Sequence, residues 1–207
     1  MNRLNHFVYF IFILFSFISC GNKSNTLREK SPLMIAIYED NFSKVKRLIE
    51  SGANKEATYG GTPMFGFVRS GKMIELLVDN GFDKDFVWKF NGTNLLAMVV
   101  SHRLNGKINP AEISGIKTFI NHGLDVDNHE TNNGQTIAMR VMKNYSDDDC
   151  VEICKLLKSS GANFFLKDFN DDTVLEHALR KRRENKKIVA YLKSIGLKEV
   201  SSENVNN

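Results

Sequence analysis

Cysteine is scarce, at three in 207 residues. Three cysteines cannot staple a chain of this length, so a disulfide scaffold is excluded. Three prolines and 14 glycines exclude a collagen-like or linker-dominated chain. Neither sign of charge dominates: 28 Lys and Arg face 24 Asp and Glu, a mild excess and no footprint of nucleic-acid binding. Long hydrophobic runs are missing too. The longest, Phe7 to Ile18, is broken only by Ser16 and as a helix would reach about 18 Å, well short of a bilayer core of roughly 30 Å. A polytopic membrane protein is therefore excluded. What remains is 42% hydrophobic and 25% charged, the makeup of a folded soluble protein and not of a disordered one. The length suits one domain or one repeat array.

Arg3 precedes the apolar run and small residues follow it, the layout of a secretory signal over residues 1–19. Phe17-Ile18-Ser19-Cys20-Gly21 resembles a bacterial lipobox, with Phe17 standing where leucine is usual. The resemblance implies lipidation of Cys20, a tether over residues 20–30, and an anchor at the cell envelope. Gly21 and Asn22 carry no aspartate retention signal, which favours the outer membrane facing the periplasm. The alternative is an ordinary cleaved signal with Cys20 nearby by chance.

Five later segments share one pattern: KVKRLIESGAN, MIELLVDNGFD, GIKTFINHGLD, EICKLLKSSGAN and KIVAYLKSIGL. Aligned on Gly52, Gly81, Gly123, Gly161 and Gly196, each has an apolar residue seven positions earlier. These are Val45, Ile74, Ile116, Cys154 and Val189. Four positions earlier stand Leu48, Leu77, Phe119, Leu157 and Leu192. Two columns three residues apart share one helix face, and a glycine just beyond is the expected C-terminal cap. Ahead of each helix comes a second helix start: Ser31-Pro32, Thr62-Pro63, Thr93-Asn94, Thr136-Ile137 and Thr173-Val174. The hydroxyl in first place suits an N-cap, and proline suits the first helical position.

The combination resembles the ankyrin repeat, with its Thr-Pro-Leu-His start, Val-x-x-Leu-Leu second helix and Gly-Ala end. SPLMIAIYEDNFSKVKRLIESGANKEA is the nearest copy. The family's histidine is replaced by Met34, Phe65, Leu96, Met139 and Glu176. The resemblance implies an all-α solenoid of about five helix-turn-helix repeats with short hairpin links, over residues 31–200, followed by a disordered tail at 201–207. It also implies a protein-binding function without catalysis. One version is an immunity or inhibitor role against a secreted toxin or lipase. The alternatives are a structural or accessory envelope protein, or an enzyme or carrier with an unfamiliar site.

Spacing from the starting Ser or Thr to the closing Gly runs 21, 19, 30, 25 and 23 residues. The third and fourth copies therefore carry insertions around Arg103–Asn109 and Lys143–Asp149, either as longer helices or as projecting loops. Insertions of this kind often form a binding face.

No catalytic, cofactor or metal constellation emerges. His102, His122, His129 and His177 share no metal-ligand spacing. Asp147-Asp148-Asp149 reads as the solvated acidic start of a helix. Cys154, in the first apolar column, reads as a buried small side chain; four apart on a helix, it and Cys150 are too distant for a disulfide, which stays open only where Cys150 lies outside the helix. The basic run Arg180–Lys187 is either a polar outer surface for the last copy or a patch for anionic headgroups or an acidic protein. Phe86, Trp88 and Phe90 alternate along an extended link and so share one side. Trp88 is either a packing residue or a binding anchor; the other link aromatics, including Phe164, Phe165 and Phe169, read as packing. The expected protein-binding residues are Phe86, Trp88 and Phe90, joined by Arg103, Leu104 and Asn105 in the third-copy insertion.

Overall fold

The computed structural model describes residues 31–59, 61–101, 108–180 and 185–199. The signal segment, Cys20, the tether, Arg103, Leu104, Asn105 and the tail at 201–207 lie outside the described residues. The protein is predominantly helical. Nine α-helices are described: α1 (Pro32–Tyr38), α2 (Phe42–Glu50), α3 (Gly71–Asp79), α4 (Leu95–Ser101), α5 (Pro110–Asn121), α6 (Ile137–Asn144), α7 (Asp147–Ser159), α8 (Val174–Leu179) and α9 (Lys186–Ser194). Strands β1 (Thr58–Tyr59) and β2 (Thr62–Pro63) pair antiparallel. Among the described residues no helix is long and apolar enough to cross a membrane.

The five aligned glycines all lie in the left-handed region, at φ from 77° to 100°. Each is followed by the same bond. The N–H of Ala53, Phe82, Leu124, Ala162 or Leu197 donates to the carbonyl five residues back, on Leu48, Leu77, Phe119, Leu157 or Leu192. This closure satisfies a carbonyl that a helix end leaves free. One column residue thus packs with its side chain and ends the helix with its carbonyl.

Helix starts follow side-chain caps. Ser70, Asn109, Thr136, Ser146 and Thr173 each accept from a backbone N–H inside their helix. At α4 the cap is Asn94, whose Oδ1 accepts from Ala97 at 2.8 Å. Thr93, expected to cap it, instead donates its hydroxyl to Asn91 within the preceding turn. The cap column is therefore displaced by one residue at this copy. In the second copy Thr62 lies in β2, and the expected first helix is a single 3-10 turn, Met64–Phe67. That copy is two residues shorter than the first, and Ser70 must already be extended to cap α3.

The two apolar columns form the centre of the core. Val45, Ile74, Ile116 and Cys154 are buried, as are Leu77, Phe119, Leu157 and Leu192. Leu48 and Val189, in the first and last copies, are only half-buried. First helices pack in a row, α4 against α6 and α6 against α8, while α3 packs against α5 and α7 against α9. The α3–α5 contact is the tightest. A Cβ on Gly71 would lie 2.3 Å from Thr118 Oγ1, and one on Gly115 would lie 2.9 Å from the Arg69 carbonyl oxygen.

In the fourth copy the extra residues lengthen a helix and do not form a loop. Only Tyr145 and Ser146 separate α6 from α7, and α7 runs 13 residues against nine for α2 and α3. Cys150 and Cys154 both lie buried within α7, not joined in a disulfide.

Candidate functional site

Each link between copies doubles back into a short finger. The first is β1–β2, and the bridges Val87–Asn94 and His129–Thr136 mark the second and third. A bond from the Asp168 N–H to the Asp172 carbonyl closes the fourth. Left-handed residues make these turns possible: Gly61, Gly92, Gly134 and, in the last, Asp171. Asparagine and aspartate tolerate that conformation better than other side chains do.

The fingers stack on one another through the bare backbone of these glycines. A Cβ on Gly92 would stand 2.6 Å from the methyl of Thr131, and one on Gly134 would stand 2.7 Å from the Phe169 ring. The Trp88 indole nitrogen lies 3.7 Å from the same point on Gly61. Matching backbone bonds join the row: Thr131 N–H to the Asn91 carbonyl at 2.9 Å, and Phe169 N–H to the Asn133 carbonyl at 3.0 Å. Asn128 adds a side-chain link, donating to the Gly92 carbonyl while accepting from Asn94 N–H.

Of the three aromatics expected to share a strand face, Phe86 and Trp88 are half-buried against the core. Phe90 is not on the strand. The chain turns after Trp88, whose carbonyl accepts from Gly92 N–H at 2.8 Å, and Phe90 rides at the tip with 77% of its surface exposed. Its ring centre lies 5.9 Å from that of Trp88. Phe169, at the tip of the fourth finger, is 68% exposed, and Phe165 is 53% exposed. Exposure and packing coincide here: the Phe169 ring lies against Gly134 of the preceding finger and the Phe165 ring near Gly196, while Phe164, on the inward side of that link, is buried. Turn tips have no inner face, so the alternation rule stops there.

Asp147-Asp148-Asp149 also departs from expectation. Asp148 alone is exposed, paired with Lys187 at 2.6 Å. Asp147 is buried and accepts from Lys187 N–H and Ile188 N–H, both at 2.9 Å. It thereby caps α9, whose own cap residue Asn185 makes no such bond. Asp149, also buried, accepts from Ile108 N–H at 3.2 Å.

Among the described residues, one group with metal-ligating chemistry comes together that sequence spacing had not revealed: Asp168, Asp172 and His177. Each of its carboxylate oxygens, and His177 Nε2, already has a partner within the protein. Asp168 accepts from Asn170 N–H and Asp172 N–H on one oxygen and faces His177 Nε2 at 2.9 Å on the other. Arg180 grips both oxygens of Asp172. Burial pushes the Asp168 pKa up, but its bonds to His177 and to the two backbone N–H groups outweigh that and hold it below the usual carboxylate range. The hydrogen bonds that Arg180 donates to Asp172 raise the Arg180 pKa. The third finger has a parallel tie, Glu130 to Arg140 at 3.1 Å, with burial lowering the Arg140 pKa. These pairs pin fingers to the helices that follow them. Cation binding at Asp172 would have to displace Arg180.

No family model matches the chain, and no curated protein matches it.

Proposed function

We propose that this chain is a non-catalytic protein-binding module of about five ankyrin-like repeats, carried at the bacterial cell envelope by a lipid on Cys20. The observation that carries the reading is the fivefold recurrence of one helix ending: left-handed glycine, apolar column, and a bond reaching five residues back. Stacked fingers joined by matching backbone bonds support the repeat assignment. Units that bury their faces only against neighbours, with a row of turns presented along one edge, are suited to holding another protein over an extended surface. The exposed tips Phe90 and Phe169, with Trp88 beside the first, supply large apolar side chains for that purpose. An immunity or inhibitor role against a secreted toxin or lipase is the specific form proposed.

The test has two arms. Fatty-acid labelling of cells making the full chain should mark the wild type and not Cys20→Ser; an unlabelled wild type overturns the anchor. Detergent extracts should yield a protein partner whose affinity falls about tenfold or more on Phe90→Ser or Trp88→Ala, the loss of a hot-spot residue. A partner indifferent to both substitutions overturns the finger row as its surface.

A further inference from the structure

The left-handed residue at each turn is also the seat of the next finger. Gly61 meets Trp88, Gly92 meets Thr131 and Gly134 meets Phe169, and the last two leave no room for a Cβ. Asparagine stands just ahead of the later seats, and the Asn91 and Asn133 carbonyls accept an N–H from the finger that follows. The fourth finger keeps this design with one change. Asn170 stands where Asn91 and Asn133 stand, but the seat itself is Asp171, at φ 60°. Asn91 is buried, Asn133 half-buried and Asn170 exposed. The row thus ends in an exposed edge, beside a side chain that the other seats lack.

We infer that Asp171 closes the finger row against a further finger, that of a second copy of this chain. The inference goes beyond the protein-binding reading and does not depend on it. Space and backbone preference both support it. An aspartate Cβ takes up the point that Thr131 and Phe169 approach to 2.6 and 2.7 Å at Gly92 and Gly134, so an incoming finger cannot settle as closely as the row requires. The Asp171 carboxylate, 89% exposed and 3.7 Å from Lys167, would also be covered, and burying a charge without full hydrogen bonding is unfavourable. Glycine adopts a positive φ at less cost than aspartate does. The turn by itself therefore favours glycine here as at the other three seats, and the side chain serves something other than the turn. Repeat stacks need an end that accepts no further repeat, and charge is one of the means that blunt an open edge. Among the described residues, the first finger alone has no finger stacked ahead of it, so it is the one to be excluded. Seating the first finger of one copy on the fourth of another would leave the same two ends open again, and the contact would propagate without closing.

The test compares Asp171→Gly and Asp171→Asn with wild type, as full chains in one detergent, by light scattering over a concentration series. Wild type and Asp171→Asn, both with a Cβ at the seat, are expected to keep a constant protein mass. Asp171→Gly is expected to gain mass steadily with concentration, while its melting temperature equals or exceeds that of wild type. Mixing isotopically light and heavy copies of Asp171→Gly before lysine crosslinking should give light–heavy links from Lys55, in the first link, to Lys167, in the fourth; both are exposed. A constant mass for Asp171→Gly overturns the proposal. So does equal association of Asp171→Asn, a lower melt for Asp171→Gly, or links between copies that leave out the first and fourth fingers. Phe90→Ser should alter none of these masses, which separates this edge from the finger-tip surface.

Discussion

At the scale of single residues, three adjacent aspartates that look alike in sequence take three different parts. Asp148 faces water, while Asp147 and Asp149 reach to backbone N–H groups on other elements. Asp147→Ala would leave two N–H groups of α9 without their acceptor and should cost about 1–3 kcal/mol in urea unfolding. Asp148→Ala removes only an exposed ion pair and should cost roughly 0–1 kcal/mol. Equal losses would contradict the assignment. Asp168 makes a pH prediction. Its pKa is depressed in the folded protein, so its stabilising contribution is present above the ordinary carboxylate pKa of about 3.9 and disappears as pH falls through the lower folded value. Wild type should therefore lose stability in that acid window, and Asp168→Asn should show a shallower loss when melting is followed from neutral pH downward.

At the scale of elements, the second helix of each copy is defined by a cap, two apolar columns and a left-handed glycine. Burial along the columns is unequal: Leu48 and Val189 are half-buried, whereas Val45 and Leu192 in the same segments are fully buried. Leu157→Ala, at a fully buried position, should cost about 2–5 kcal/mol. Leu48→Ala, half-buried, should cost distinctly less, and thermal melts of the two variants would rank them. The α3–α5 crossing depends on absent side chains. Gly71→Ala would press a methyl against Ser114 and Thr118, and overpacking of this kind typically costs about 1–3 kcal/mol. An unchanged melt for Gly71→Ala would mean that the two helices can separate without loss.

At the scale of the molecule, packed helices and a row of fingers are laid along one chain. Phe90 projects from a finger tip whose backbone is held by its neighbours, so Phe90→Ser should leave far-UV circular dichroism unchanged while weakening partner binding. The double change Phe90→Ser with Phe169→Ser should weaken it further if one partner spans the row. A partner that loses nothing more on the second change contacts only the second finger. Gly134→Ala should act differently. It strains a residue at φ 72° and meets the Phe169 ring, so it should lower stability as well as binding.

Local chemistry was legible from the sequence alone. Helical class, the two columns and the five glycine ends are set by spacing within a dozen residues, and the physical demands of a helix terminus act over that same range. Even there, Thr93 and Asn94 were misread by one place, because the preceding turn competes for the hydroxyl and only its closure decides which residue caps. The buried or exposed state of Phe90, Phe165 and Phe169 was not legible, since alternation says nothing about a turn tip. Nor was the grouping of Asp168, Asp172 and His177, or the reach of Asp147 to α9 across 40 residues. Those arrangements depend on which elements come to lie side by side. A carboxylate is buried only where a distant backbone N–H or guanidinium is brought to meet it, and tertiary packing alone determines that meeting.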